Sequence, residues 1–151
     1  MTLPDIRSLI PHADPMVLLD RVIAVDEDGL CAEVGIRSNS LFCGADGVGA
    51  WVGLEYMAQA IAAYAGYCAR SKGEPVKIGF LLGSRRYECR RPMFRLGSVL
   101  KVHVRRLLQS DNGLGSFECH IEDDVGDRLA TATVTVFQPA NVDDFLGESL
   151  K

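Results

Sequence analysis

One segment, residues 50–69, restricts the possible folds of this chain more than any other. Its sequence, AWVGLEYMAQAIAAYAGYCA, contains seven Ala and only two strongly polar side chains, Glu55 and Gln59. This composition predicts one long helix, and the basic residues and Gly73 that follow are typical of a helix C-terminus. A helix that is apolar on nearly every face must be covered on most sides, by a sheet that curls around it or by a second copy of the chain.

A membrane span is the alternative interpretation of an apolar segment of this length. Glu55 and Gln59 would both be costly in lipid, and Ala and Gly favour insertion less than Leu or Ile do. The strands predicted elsewhere in the chain would still need a core. We therefore expect a core helix and no association with a membrane.

The rest of the chain has the pattern of an antiparallel sheet. A short helix or turn is predicted over residues 3–11, and a Gly-rich loop over 40–49. β-branched runs and alternating apolar residues predict strands at 16–25, 30–37, 76–82, 85–91, 99–108, 116–122 and 129–137. Asp-Asn-Gly at 111–113 is a hairpin signal, and short hairpin connections imply antiparallel pairing.

The predicted fold class is therefore α+β, with a curved antiparallel sheet wrapped around one long central helix. This is the hotdog fold, which is usually dimeric. The 151 residues fit one ordinary domain, and no linker or repeat interrupts them. We predict a single domain over 1–151, with a core at about 3–138 and a loose tail at 139–151.

The charge of the chain argues against nucleic acid as a partner. There are 16 Lys and Arg against 20 Asp and Glu, which gives a net charge of −4, whereas phosphate neutralisation needs an excess of positive charge. Residues 84–106 nevertheless contain eight basic residues and one acid. That segment is either a docking surface for an acidic partner or a solvated strand face.

The cysteines and histidines indicate neither disulfides nor a metal centre. The five Cys form no CxxC pair, and the first ten residues do not resemble a secretion signal, so we expect reduced thiols in a cytoplasmic protein. The three His (His12, His103 and His120) are not spaced with Cys or acids as in a known zinc motif. The sequence therefore predicts no metal and no cofactor, with His103 and His120 facing solvent.

Glu55 and Gln59 are the polar residues that call for a chemical explanation. They are four residues apart and so lie one turn apart on one helix face. A carboxyl group in apolar surroundings must be paired, protonated or used in chemistry, and a general acid or base is one interpretation. The other is an acid that the helix N-terminus stabilises, with Gln59 satisfying a backbone group.

Two segments resemble a known enzyme family. LIPHADPMVLLDRV at 9–22 and LEYMAQA at 54–60 resemble the opening and the central helix of the 3-hydroxyacyl-(acyl carrier protein) dehydratases of fatty-acid synthesis. The resemblance extends from about residue 3 to residue 138. Residues 50–55 and 79–89 resemble, within that group, the divergent dehydratase-like proteins of aryl polyene gene clusters.

The resemblance implies a hotdog dimer that removes water from a 3-hydroxyacyl thioester to give the 2-enoyl thioester. The family uses a loop His and a helix Asp or Glu from opposite protomers, and Glu55 matches the helix acid. Ala50 stands where a family Gly offers its N–H to the thioester carbonyl, and Gln59 matches a helix Gln. The substrate-binding residues implied in this way are Ala50, Trp51, Gln59 and Phe80.

One departure from the family changes the expectation. The family loop reads Gly-His-Phe-Pro-Gly, whereas this chain has Ala45 at the His position. Either His12 or Asp46 replaces the missing base in a homodimer, or a related dehydratase supplies it across a mixed dimer. The expected partner is an acyl carrier protein thioester, docked on Arg85, Arg86 and Arg90. The alternatives are a non-catalytic subunit that binds an acyl chain or carrier protein, and a hotdog thioesterase.

Overall fold

The structure is a computed structural model that describes residues 3–11, 16–74 and 80–138. In chain order its elements are strands β1 (Arg21–Val25), β2 (Gly29–Gly35) and β3 (Gly47–Gly49), helix α1 (Gly53–Ser71), and strands β4 (Phe80–Cys89), β5 (Met93–Arg95), β6 (Val99–Gln109), β7 (Leu114–Glu122) and β8 (Arg128–Phe137). Single turns of 3₁₀ helix lie at Ile6–Ser8 and Ala50–Val52. The second turn leads directly into α1.

Six strands form one antiparallel sheet in the order β1-β2-β6-β7-β8-β4, and β3 pairs with β5 in a separate two-stranded sheet. The predicted α+β class, with one long helix and an otherwise antiparallel chain, is confirmed. β4 forms one edge of the large sheet and pairs with β8 alone among the described strands.

Alternation along the strands gives the large sheet an inner and an outer face. Leu100, Val102 and Val104 of β6 are buried in the core that includes α1, as are Phe117, Cys119 and Ile121 of β7. The residues between them, including His103 and His120, point to the opposite face. The helix buries Tyr56, Met57 and Ala60 in the same core.

The start of β1 differs from the prediction. The strand begins at Arg21 rather than at residue 16. The reason is Gln59 of α1, whose side-chain amide bonds the Met16 carbonyl and the Leu18 N–H, so these backbone groups are paired with a helix side chain rather than with a strand. The β-branched pattern alone does not show that competition.

The predicted loop at 40–49 also contains more structure than expected, since its end forms β3 and pairs with β5. Part of the strand predicted at 76–82 and the tail predicted at 139–151 lie outside the described residues. Within the described part of the chain, α1 and the short turns are too short or too polar to cross a membrane.

Gly66 shows how closely the N-terminal segment packs on α1. A Cβ atom at this position would lie 1.9 Å from the Leu9 carbonyl oxygen. Only glycine allows this approach, and Leu9 is itself fully buried. Leu9 is therefore packed against the C-terminal half of α1.

Candidate active site

Glu55 lies in the first turn of α1, where it is half-buried. The Gln59 amide Nε2 donates a hydrogen bond of 3.1 Å to Glu55 Oε1. The two side chains, which the sequence predicts on one face of the helix, are therefore in contact. This hydrogen bond holds the carboxyl group in one orientation at the N-terminal end of the helix.

Gln59 is fully buried and uses both ends of its amide group. Nε2 also donates to the Met16 carbonyl at 2.7 Å, while Oε1 accepts the Leu18 N–H at 2.9 Å. Gln59 thus satisfies backbone groups, as one of the two interpretations of the sequence expects, and it also hydrogen-bonds Glu55. It ties residues 16–18 to the helix one turn from the carboxyl group.

His12, a predicted base, lies outside the described residues. The described residues on either side are both anchored to α1, Leu9 against Gly66 and Met16 on Gln59. Leu9 thus lies against the C-terminal half of α1, and Met16 lies against its N-terminal half.

The loop before the helix carries the second predicted base. Ala45 and Asp46 are both exposed, and the Asp46 carbonyl accepts the Leu96 N–H at 2.9 Å. Asp46 lines a shallow 480 Å³ depression together with Arg91 and Arg95. Asp46 thus lies near surface arginines beside the small sheet.

Both backbone polar groups of Ala50 are hydrogen-bonded. Its N–H, the predicted thioester donor, donates to the Pro92 carbonyl at 2.9 Å, and its carbonyl accepts the Tyr87 hydroxyl. Gly53 is required beside them, since a Cβ there would lie 2.2 Å from the Tyr87 oxygen. The start of the helix is therefore tied to β4 and to the chain just before β5.

Tyr87 is a site residue that the sequence reasoning missed. Burial raises the pKa of its phenol well above the usual value, so the hydroxyl keeps its proton as a donor to Ala50. The strand pattern of residues 80–89 identifies no partner for this hydroxyl. Gly53 in the helix sequence is the one indication that something approaches closely there.

Two large aromatic side chains stand exposed at the same end of the helix. Trp51 is 69% exposed and Phe42 is 46% exposed, and their rings meet edge to face with centroids 5.6 Å apart. Phe42 has a left-handed φ of 68°. Trp51 was predicted to bind substrate; in this single chain its ring lies on the surface. The side chain of Phe80 lies outside the described residues, although its backbone pairs with Phe137.

The three predicted docking arginines are all exposed on or just after the edge strand β4. Arg86 has a φ of 55° and lies where the register with β8 shifts between Arg85 and Glu88. This bulge changes the direction of successive side chains along the edge. The arginines therefore lie on a surface that an acidic partner can reach.

Comparisons with known proteins agree with this geometry. The sequence matches the ApeP-like family, described as ApeP dehydratase, over residues 4–147. The chain belongs to the ApeP-like family. It is also similar to a chain in the structure of the dehydratase heterocomplex ApeI:P from Xenorhabdus doucetiae, with 33% identity, coverage of 99% of this chain and 100% of that one, and a TM-score of 0.92.

More distant structures share only the fold. A hypothetical thioesterase with coenzyme A from Streptococcus pneumoniae has 15% identity and a TM-score of 0.61, over 78% of this chain and 84% of that one. The Escherichia coli PaaI protein has 16% identity and a TM-score of 0.60, over 80% and 79%. No protein with a curated description matches the sequence. The predicted hotdog fold and the resemblance to aryl polyene dehydratases are thus confirmed.

Proposed function

We propose that this ApeP-like protein is one subunit of a mixed dehydratase dimer that acts on 3-hydroxyacyl thioesters of acyl carrier protein. The observation that carries the proposal is the Glu55–Gln59 pair, which keeps an oriented carboxyl group at the helix start while the loop presents Ala45 where the dehydratases have His. The similar chain from Xenorhabdus doucetiae comes from a heterocomplex, ApeI:P. A related dehydratase that carries the loop His would complete the site.

The chemistry divides between the two subunits. The partner's imidazole, as general base, removes a proton from C2 of the 3-hydroxyacyl chain, and the electron pair of the C–H bond forms the C2–C3 double bond. The C3–O bond breaks, and the Glu55 carboxyl group gives its proton to the departing hydroxyl, which leaves as water. The hydrogen bond from Gln59 positions Glu55 for that transfer.

Two surfaces support a partner subunit at this end of the molecule. β4 is ten residues long and lies at the edge of the large sheet, where the backbone groups that pair with no described strand can pair with a strand of a second chain. The exposed Phe42–Trp51 pair lies beside the start of α1. Covering it would bring the partner's loop close to Glu55.

The decisive experiment follows water loss from a 3-hydroxyacyl carrier-protein thioester by mass spectrometry. The protein is assayed alone, with a His-bearing homologue, and as the Glu55→Gln variant in the mixed dimer. We expect turnover only in the mixture, and a fall of about 10²- to 10⁴-fold in Glu55→Gln, because a general acid contributes about that much. Glu27→Gln, an exposed acid in the turn before β2, is the matched control and should keep full activity.

Other outcomes assign other functions. Turnover by the protein alone would reject the mixed dimer and make His12 and Asp46 the next residues to replace. A mixture that keeps its activity in Glu55→Gln would mean a non-catalytic accessory subunit, which the exposed Ala45 in the loop favours. Release of free thiol instead of the enoyl product would mean a thioesterase.

Carrier-protein docking on Arg85, Arg86 and Arg90 is a separate step of the proposal. Carrier proteins are acidic, and exposed arginines speed their encounter by electrostatic steering. Replacing all three by Ala should weaken carrier-protein binding and flatten its dependence on salt. Arg21→Ala, an exposed arginine in β1 at the other edge of the sheet, is the control. Unchanged binding in the triple variant would remove this docking surface.

A further inference from the structure

A second polar cluster lies on the outer face of the large sheet, away from α1. It consists of His103 in β6 and of His120 and Glu122 in β7. His103 and His120 are directly opposite each other in the paired strands, and their rings stack with centroids 4.4 Å apart and planes 13° apart. The pairing register, rather than spacing along the chain, brings the two imidazoles together.

The two carboxylate oxygens of Glu122 each face the Nε2 atom of one ring. His103 Nε2 lies 2.8 Å from Oε1 of Glu122, and His120 Nε2 lies 3.9 Å from Oε2. One ligand atom from each of the three residues lies within 4.8 Å of the other two. Zinc bonds of about 2.0–2.2 Å place the ligands of one ion up to about 4 Å apart, so the stacked rings must rotate before all three atoms can bind one ion.

We propose that His103, His120 and Glu122 form a binding site for a zinc-type transition-metal ion on the outer face of the sheet. Two imidazole nitrogens and one carboxylate oxygen suit zinc, whereas magnesium and calcium prefer all-oxygen sets. The site joins β6 to β7 and lies on the opposite face of the sheet from Glu55. It is therefore separate from the dehydration chemistry.

The surroundings are consistent with uptake of an ion from solvent. The side chains of His103, His120 and Glu122 are 34%, 23% and 21% exposed, and the two rings line a 640 Å³ groove.

Two neighbouring residues affect the choice of ligands and the expected affinity. Cys31 Sγ lies 3.7 Å from His103 Nε2, but the ligand atoms that all lie within 4.8 Å of one another are those of His103, His120 and Glu122, so Cys31 is left out of the set. Arg128 lies opposite Glu122 in the pairing of β7 with β8, and its positive charge disfavours a bound cation. Removing its charge should therefore strengthen metal binding.

The test is a zinc titration of the full chain after dialysis against a chelator, in competition with a chromophoric zinc indicator. We expect one equivalent to bind, and His120→Asn or Glu122→Gln to weaken binding by more than about 10- to 100-fold, the usual loss for an outer-shell partner. Asp111→Asn, an exposed acid in the turn between β6 and β7, is the control and should bind as the parent does. Arg128→Gln should bind about two- to fivefold more tightly.

A measurement on the unmodified protein keeps the test independent of how the variants fold. In proton NMR spectra, one equivalent of zinc should shift the ring signals of His103 and His120 and leave those of His12 in place. Absence of saturable uptake, uptake that persists in His120→Asn, or a shift of His12 alone would overturn the proposal.

Discussion

The two polar clusters of this protein lie on opposite faces of one sheet and are built in different ways. Glu55 and Gln59 belong to one helix, and the fully buried Gln59 is bonded to Glu55 and to two backbone groups. His103, His120 and Glu122 come from two strands, remain partly exposed and contact one another. The helix pair holds the Glu55 carboxyl group in place. The strand cluster leaves its side chains able to exchange their present contacts for a bound ion.

We call Glu55 and Gln59 the inner cluster, and His103, His120 and Glu122 the outer cluster. The largest expected effect on stability is that of Gln59→Leu, which tests the inner cluster. The substitution keeps an apolar side chain of similar size but leaves the Met16 carbonyl and the Leu18 N–H without partners. Each buried unpaired group costs about 1–3 kcal/mol, so the free energy of unfolding should fall by about 2–6 kcal/mol in urea denaturation. Gln109→Leu, exposed at the end of β6, is the control and should change stability by less than about 0.5 kcal/mol.

The same variant separates the two roles of Gln59. If it folds and still binds the partner subunit, its dehydration rate should fall because Glu55 loses its orienting bond. A Gln59→Leu protein as stable as the parent would show that water replaces the amide, and the anchoring of residues 16–18 to the helix would then need another explanation.

Gly66→Ala is expected to have a smaller effect on the same region. The added Cβ would lie 1.9 Å from the Leu9 carbonyl oxygen, so the N-terminal segment or the helix must move. Overpacking of this kind costs about 1–3 kcal/mol, measurable as a shift of the urea midpoint. Gly83→Ala in β4 meets nothing within 4 Å and is the matched control. An unchanged midpoint in Gly66→Ala would mean that the segment before residue 12 is not held against α1.

The different geometry of the two clusters explains which of them the sequence could predict. Residues one turn apart on a helix are neighbours by construction, so Glu55 and Gln59 are visible as a pair in the sequence. His103 and His120 are 17 positions apart, and only the register of β6 against β7 places them opposite each other. The alternating pattern predicts the face they occupy, but not the alignment of the two strands.

The same reasoning applies to the fold. The apolar helix and the alternating strands were sufficient to predict the architecture, because their apolar residues can be buried only if the sheet covers the helix. The predicted start of β1 was wrong because the Gln59 side chain of the helix bonds the backbone groups of Met16 and Leu18 that a strand would use. The bond from Tyr87 to Ala50 joins β4 to the turn before α1, and no local pattern indicates it.

The smallest expected effect is that of His120→Asn in metal-free protein, and it tests the contrast between the clusters most directly. His120 Nε2 lies 3.9 Å from Glu122, too far for a hydrogen bond, and the ring is neutral at pH 7 because burial lowers its pKa to about 4. Its loss leaves no buried group unpaired, so the free energy of unfolding should change by less than about 1 kcal/mol. His103→Asn, which breaks the 2.8 Å contact with Glu122, should cost more. A loss in His120→Asn as large as that in Gln59→Leu would show that the outer cluster supports the sheet, and its side chains would then not be available to exchange a partner for a metal ion.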